Sequence, residues 1–219
     1  MESGSIGLAY TYSEPLIWFE TIRDTAPHIR EAGGVNVLVT NGYIESRPLE
    51  ELLPLVDAAN VDLKFSDPQL YMTGSGARLD VVQRTIERMV EVGIHVEITH
   101  LLVTGMADRE AGVREIAEWV ASVDPNIPLH LSRYFPRHLT TEPPTILEFM
   151  ERAGEIARES LSHVYLGNMG SAGQSNTYCP QCRQLAVERS GAGVRMVGVG
   201  VKGECVSCGT DLHMTVKQG

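Results

Sequence analysis

Apolar, β-rich runs alternate along this chain with segments in which apolar residues recur every three or four positions. The candidate strands are Gly7–Tyr12, Val35–Asn41, Ala58–Phe65, His95–Val103, Pro128–Tyr134 and His163–Asn168. Between them, Leu79–Val92 carries Val82, Ile86, Met89 and Val90 at helical spacing, and Glu110–Ser122 and Ile146–Ser160 also read as helices. This alternation predicts an α/β fold, a parallel sheet or barrel of βα units with helices over the outer face of the strands. Gly33-Gly34 and Gly93 read as helix stops, and Pro143-Pro144-Thr145 as the lead into a helix. Pro27 is the misfit. It falls inside a pattern that otherwise runs from Leu16 to Ala32, so a kink or break is expected near Thr25 or Ala26.

From Ser171 to Thr177 the composition turns small and polar, which places a boundary near residue 170. Residues 1–170 then form the barrel-like body and residues 171–219 a small appended module. All four cysteines lie in that module, as Cys179-Pro-Gln-Cys182 and Cys205-Val-Ser-Cys208. Two residues between ligands let a tight turn aim both thiolates at one ion, and two such knuckles complete a tetrahedral site. The 22 residues 183–204 between the pairs are slightly more than usual, an excess that a Gly- and Val-rich hairpin absorbs. Structural zinc is the metal expected. The competing readings are rubredoxin-like iron, or two disulfides, which need an oxidising compartment.

With 219 residues, 43% hydrophobic and 21% charged, the chain has enough apolar surface for one substantial core and an appendage. No stretch resembles a secretory signal or a membrane span, so a cytoplasmic protein without a membrane partner is expected. A net charge of -10 argues against a phosphate-backbone binder, and no nucleic-acid partner is expected.

In βα architectures the residues just past the strand C-termini line the active face. Here they include Ser13 and Glu14, Thr40 and Asn41, Asp62 and Lys64, His130, Ser132 and Arg133, and Asn168. Together they suit a small ligand bearing amine, carboxylate and hydroxyl groups. Each also has a plainer reading. Glu14 before Pro15 favours a helix N-terminus, Asp62 and Lys64 on one strand face make a structural ion pair, and Asn41-Gly42 makes a turn. His95, Glu97 and Thr99 share one strand face and His100 takes the other, without the partner spacing of a metal site.

Five segments taken in order carry a resemblance: Ala9–Pro15, Leu38–Ile44, Ala59–Lys64, Leu129–Tyr134 and Asn176–Pro180. They resemble the radical SAM enzymes related to pyruvate formate-lyase activating enzyme and, more narrowly, the radical SAM component of the AmmeMemoRadiSam system. The resemblance spans nearly the whole chain. It implies a partial (β/α)6 TIM-like barrel with a C-terminal zinc-ribbon-like module, binding S-adenosylmethionine and a [4Fe-4S] cluster to form a 5′-deoxyadenosyl radical. It would assign the methionine amino group to Glu14 with Ser13 beside it. Thr40, Asn41, Asp62 and Lys64 would approach the methionyl carboxylate and ribose, and Asn168 the adenosine side. Phe135 receives no role. Memo-type and AMMECR-type proteins are the partners it implies.

One departure limits what this chain does alone. Such enzymes hold three irons of the cluster with a CxxxCxxC loop, and this sequence contains none. The chain reads as a barrel starting at its second strand, N-terminally incomplete, with the cluster ligands outside it and no catalytic residue to assign. Truncation is the leading explanation, ahead of a split protein or a degenerate barrel kept for binding or assembly. An alternative from another class is a Schiff-base enzyme with Lys64 as nucleophile and Asp62 as acid/base. A further alternative is a non-catalytic metal-binding scaffold.

Overall fold

A computed structural model describes residues 5–107, 109–138, 140–170, 173–190 and 193–214. Six strands form one sheet in sequence order: β1 (Gly7–Tyr10), β2 (Val35–Thr40), β3 (Ala58–Asp62), β4 (His95–Leu102), β5 (Leu129–Arg133) and β6 (Val164–Gly167). Each candidate strand is found in its place, shorter at one or both ends than expected. Neighbouring parallel strands need long crossovers, and helices supply them. These are α1 (Phe19–Glu31), α2 (Ser46–Leu52), α3 (Pro68–Ser75), α4 (Leu79–Glu91), α5 (Glu110–Val123) and α6 (Leu147–Ala157). The fold is therefore the α/β barrel type that the alternation predicts. The chain divides into two compact units, one up to His100 and one from Leu101 onward.

In the first unit, β2 alternates strictly: Asn36, Leu38 and Thr40 are buried while Val35 and Val39 are exposed. Its buried face belongs to the helix side, where α4 contributes Leu79, Val82, Thr85, Ile86 and Met89. Burying side chains of this size stabilises by roughly 1.5–3 kcal/mol each, before the entropy of ordering them. The strand face opposite is polar and half-buried, carrying Asn60, Asp62, Glu97 and Thr99. Such a face is unusual for a parallel sheet, whose strands are normally apolar on both sides. It leaves a surface that can meet a polar ligand.

Both glycine stops act as read. After α1 the Gly34 amide donates to Ile29 O and the Gly33 amide to Arg30 O, with Gly33 at φ +74°. After α4 the Ile94 amide donates to Met89 O and the Gly93 amide to Val90 O, with Gly93 at φ +84°. Each pair satisfies two orphan carbonyls through a left-handed residue.

The expected break near Thr25 or Ala26 is not found. Helix α1 runs through Pro27, and the discontinuity lies earlier, at Trp18, which joins a 3-10 turn (Pro15–Trp18) to the helix. Asn36 gives the reason. Its Nδ2 donates to Ala26 O at 3.0 Å, and its Oδ1 accepts from the Tyr10 hydroxyl at 2.9 Å. That buried anchor and the burial of Ile22 and Ala26 offset the roughly 3 kcal/mol cost of an internal proline.

In the second unit Leu129, Leu131, Val164 and Leu166 are buried on one face of β5 and β6. His130, Ser132 and Tyr165 occupy the other, with His130 stacked on Tyr165 at 5.1 Å between ring centroids. A separate antiparallel sheet follows in the order β7 (Thr177–Tyr178), β8 (Leu185–Ser190), β9 (Gly193–Met196). The hairpin expected between the cysteine pairs is β8 and β9, with Val187 beside Met196 and Ser190 beside Gly193. Among the described residues no helix is long and apolar enough to cross a membrane.

Candidate cofactor site and metal centre

The ends of β1 and β2 meet at Glu14. Its Oε1 caps the 3-10 turn by accepting the Leu16 amide at 3.2 Å and also accepts the Thr40 hydroxyl at 2.5 Å. Its Oε2 accepts the Asn41 amide at 2.8 Å. Thr40 is only 4% exposed and its Oγ1 also accepts the Gly42 amide at 3.1 Å. Asn41 Oδ1 accepts the Tyr43 amide at 2.8 Å. Gly42 sits at φ +68°, and a Cβ there would lie 2.7 Å from Val61 Cγ1. Both the left-handed backbone and the close approach to β3 therefore require glycine.

The plainer local readings of these residues are realised. Glu14 does cap a helical turn, and Asn41-Gly42 does form a side-chain-supported turn. They do not exhaust the group. Each carboxylate oxygen can accept two hydrogen bonds, so Oε1 is filled while Oε2 retains one acceptor position. Ser13 is exposed and accepts the Trp18 indole N–H at 3.3 Å, which fixes the aromatic wall of the same turn.

At the end of β3, Lys64 Nζ meets Asp62 Oδ2 at 2.8 Å, both side chains 41% exposed. An ion pair this open contributes at most about 1 kcal/mol. The segment beneath it is held more firmly. The Leu63 amide donates to Thr99 O at 2.9 Å, and the buried His100 Nδ1 contacts Leu63 O at 2.8 Å. Burial pushes the His100 ring down to about 4, against the opposing pull of that carbonyl. His100 is thus a neutral core residue, and its neighbours His95 and Glu97 pair with each other at 3.3 Å on the polar face. That pairing, the larger influence, raises the His95 ring above its ordinary value against partial burial.

In the second unit Asn168 adopts φ +59° just past β6. Its Nδ2 donates to Ser132 Oγ at 3.0 Å and to Arg133 O at 3.3 Å. Arg133 donates through Nε to Thr145 O at 2.7 Å and lies over the Phe135 ring, 4.8 Å from its centroid. Thus the structure joins Glu14, Thr40 and Asn41 in one network and Asp62 and Lys64 in another. Asn168 belongs with Ser132 and Arg133. Sequence reading missed the Asn60–Thr99 pair, 2.8 Å apart on the polar strand face, although Asn60, Asp62 and Lys64 follow a legible period of two.

The four cysteines come together. Their sulfurs all lie within 4.8 Å of one another, with Cys179–Cys208 and Cys182–Cys205 each at 3.6 Å. A tetrahedral ion with 2.3 Å bonds to sulfur needs separations of about 3.8 Å. All four are free thiols, so the competing reading of two disulfides is not realised.

The two knuckles repeat one hydrogen-bond design. The Cys179 amide donates to Gln184 O and the Arg183 amide returns to Cys179 O, both at 2.9 Å. The Cys205 amide donates to Thr210 O and the Gly209 amide returns to Cys205 O, both at 2.8 Å. Arg183 and Gly209 both turn left-handed, at φ +60° and +77°.

Hydrogen bonding favours thiolates in the second knuckle. The Ser207 amide lowers Cys205, and the Thr210 hydroxyl lowers Cys208 to about 6. Although the Gln184 amide favours its thiolate, Cys182 is pushed up to about 12 by Cys208, burial and the other two sulfurs. Without a cation, crowded sulfurs cannot all carry charge. A divalent ion removes that conflict and can be held here.

No family model matches the chain. It is 36% identical over 214 residues to Uncharacterized protein MJ0808 of Methanocaldococcus jannaschii, covering 96% of this chain and 63% of that protein. The chain therefore spans less than two thirds of that relative's length. Among solved structures it is similar to a domain of pyruvate-formate lyase-activating enzyme from Bacteroides vulgatus, with a TM-score of 0.63 and 21% identity over 75% of this chain and 100% of that one. A radical SAM methyltransferase from Sphaerobacter thermophilus also gives 0.63, at 16% identity over 74% of this chain and 50% of that one. SuiB of Streptococcus suis, solved with S-adenosylmethionine bound, gives 0.60 at 16% identity over 76% and 40%. The fold is the one these radical SAM enzymes share.

Proposed function

We propose that this chain is a radical SAM family protein whose first unit binds the methionyl part of S-adenosylmethionine at the ends of β1, β2 and β3. The observation that carries the reading is Glu14, held by Thr40 and Asn41 with one acceptor position left on Oε2. An ammonium group fits that position. Lys64, only half-buried beside Asp62, has a charge suited to a carboxylate. Asn41 has its Oδ1 committed to Tyr43, which leaves its amide nitrogen as a donor to ribose hydroxyls. Ser13 belongs to the same turn.

The [4Fe-4S] cluster that gives such enzymes their 5′-deoxyadenosyl radical does not fit the thiols present. The four sulfurs crowd within 4.8 Å of each other, which suits one ion rather than a cube of four irons. Cluster ligands are then outside this sequence, and this chain alone is proposed to bind the cofactor without cleaving it. The Cys179, Cys182, Cys205 and Cys208 centre is proposed to hold zinc in a structural role. Association with Memo-type and AMMECR-type proteins is part of the same proposal. The Schiff-base alternative finds less support, since Lys64 lies in an open ion pair rather than the apolar pocket that activates an amine.

Calorimetric titration of the zinc-loaded chain with S-adenosylmethionine tests the reading. Saturable binding at one site is expected, weakened about tenfold or more in Glu14→Gln and Glu14→Ala. No binding, or equal binding in all three proteins, overturns it. A borohydride-trapped carbonyl adduct lost in Lys64→Ala would favour the Schiff-base enzyme instead.

A further inference from the structure

A cavity of about 330 Å³ opens in the second unit, lined by Arg158 at the end of α6, Arg183 of the first cysteine knuckle, and Ser162, Gln174, Asn176 and Tyr178 among others. Its charge is opposite to that of the molecule. The chain carries a net charge of -10, yet no carboxylate lines this cavity among the described residues.

Neither arginine has a carboxylate partner among the described ion pairs. The acids nearest Arg158 in sequence, Glu159 beside it and Glu155 one turn earlier, are engaged by Arg114 and by Arg152 respectively. Among the described residues Arg158 has one long hydrogen bond, from Nη2 to Val164 O at 3.4 Å. Burial, and then the charge of Arg183, push the Arg158 guanidinium below its ordinary value. By contrast Arg189, nearby in sequence, is engaged: its Nη1 donates to Ser175 O at 2.9 Å and Thr177 Oγ1 at 2.7 Å, and it lies 5.4 Å from the Tyr165 ring centroid. Two guanidiniums thus share one polar cavity with no carboxylate in its described lining, an arrangement that favours an anion between them.

We propose that this cavity binds the phosphate group of a small phosphorylated compound. Two guanidiniums match a dianion in charge and offer paired N–H donors to its oxygens. Gln174, Asn176 and Tyr178 add polar side chains to the wall. The volume exceeds what one phosphate needs, which leaves room for the organic part of a monoester. This site is independent of the cofactor reading.

The test titrates the zinc-loaded chain with inorganic phosphate, glycerol 3-phosphate and acetate at constant ionic strength, followed by calorimetry. Saturable binding of both phosphates is expected, with the monoester tighter and acetate at least about tenfold weaker. Arg158→Gln and Arg183→Gln should each weaken phosphate binding about tenfold, while Arg195→Gln, at a Glu188 ion pair outside the cavity lining, should not. Should Arg158→Gln fail to fold, exposed Arg183 decides. A non-saturating response common to all variants, or acetate binding as well as phosphate, overturns the proposal. Tighter binding of the free ion overturns the monoester assignment.

Discussion

The Thr40 hydroxyl donates to Glu14 Oε1 at 2.5 Å, across 26 positions of sequence, and so ties the end of β2 to the turn that follows β1. The same hydroxyl accepts the Gly42 amide, so one buried oxygen holds both the carboxylate and the turn. In Thr40→Val, a change of nearly equal shape, Glu14 loses one donor and the Gly42 amide loses its acceptor. The expected loss is about 1–3 kcal/mol, read as a lower urea midpoint at unchanged slope. Affinity for S-adenosylmethionine should fall as well, since Glu14 is no longer fixed.

Asn36 is wholly buried between α1 and β1, where it serves Ala26 O and Tyr10 together. Its backbone amide also donates to Asp57 Oδ2 at 2.7 Å. Asn36→Leu keeps the volume and the backbone bond but orphans two buried polar groups beside Pro27. A loss of about 2–4 kcal/mol is expected, with faster amide exchange in the last two turns of α1. Unchanged exchange there would mean that helix packing alone carries the chain through the proline.

How much of this was legible in the sequence depends on the range over which each signal acts. The strands and α4 were legible because burial alternates with period two in Asn36-Leu38-Thr40 and at helical spacing in Val82-Ile86-Met89. The knuckles were legible because both ligands of each pair sit within one turn. Asn36 was not, since a polar residue in Val35-Asn36-Val37 reads as a flaw in a strand until its partners, 10 and 26 positions away, are seen. For the same reason Pro27 read as a break. The roles of Glu14, Asp62 and Lys64 were read both ways, and the local geometry satisfies the plain reading while leaving an acceptor and an open charge. The cavity between Arg158 and Arg183 had no sequence signature, because it joins distant positions and depends on Glu155 and Glu159 being engaged by other arginines.

His100 makes stability depend on pH in a predictable direction. Burial holds its folded-state value down to about 4, below the roughly 6.5 of an unfolded histidine. A neutral ring is the folded form, so the contribution is complete above about pH 6.5 and is lost as pH falls towards 4. Between those values the slope approaches about 1.4 kcal/mol per pH unit. In His100→Gln this part of the slope should vanish. Urea unfolding at pH 7 and pH 5 gives the comparison, and because both proteins keep the same cysteine centre, the difference in slope isolates His100. Parallel slopes would place the ring in a hydrated setting.

The cysteine module should depend on its metal more than the six-stranded sheet does. Its buried core consists of Cys179, Ala186, Val187, Cys205 and Leu212, with Val199 and Met214 packed against it. Two of those five are ligands, and the remaining apolar area is too small to hold a fold by burial alone. Purified chain should carry about one zinc, and Cys208→Ser should lower its affinity sharply. Removing the ion with a strong chelator leaves four crowded thiols whose charges conflict, so the amides pairing Glu188 with Arg195 should lose their exchange protection. Those pairing Val37 with Ala58 in the large sheet should keep theirs. Retained protection of the small sheet after metal removal would show that apolar packing suffices, and iron in place of zinc would change the metal but not the dependence.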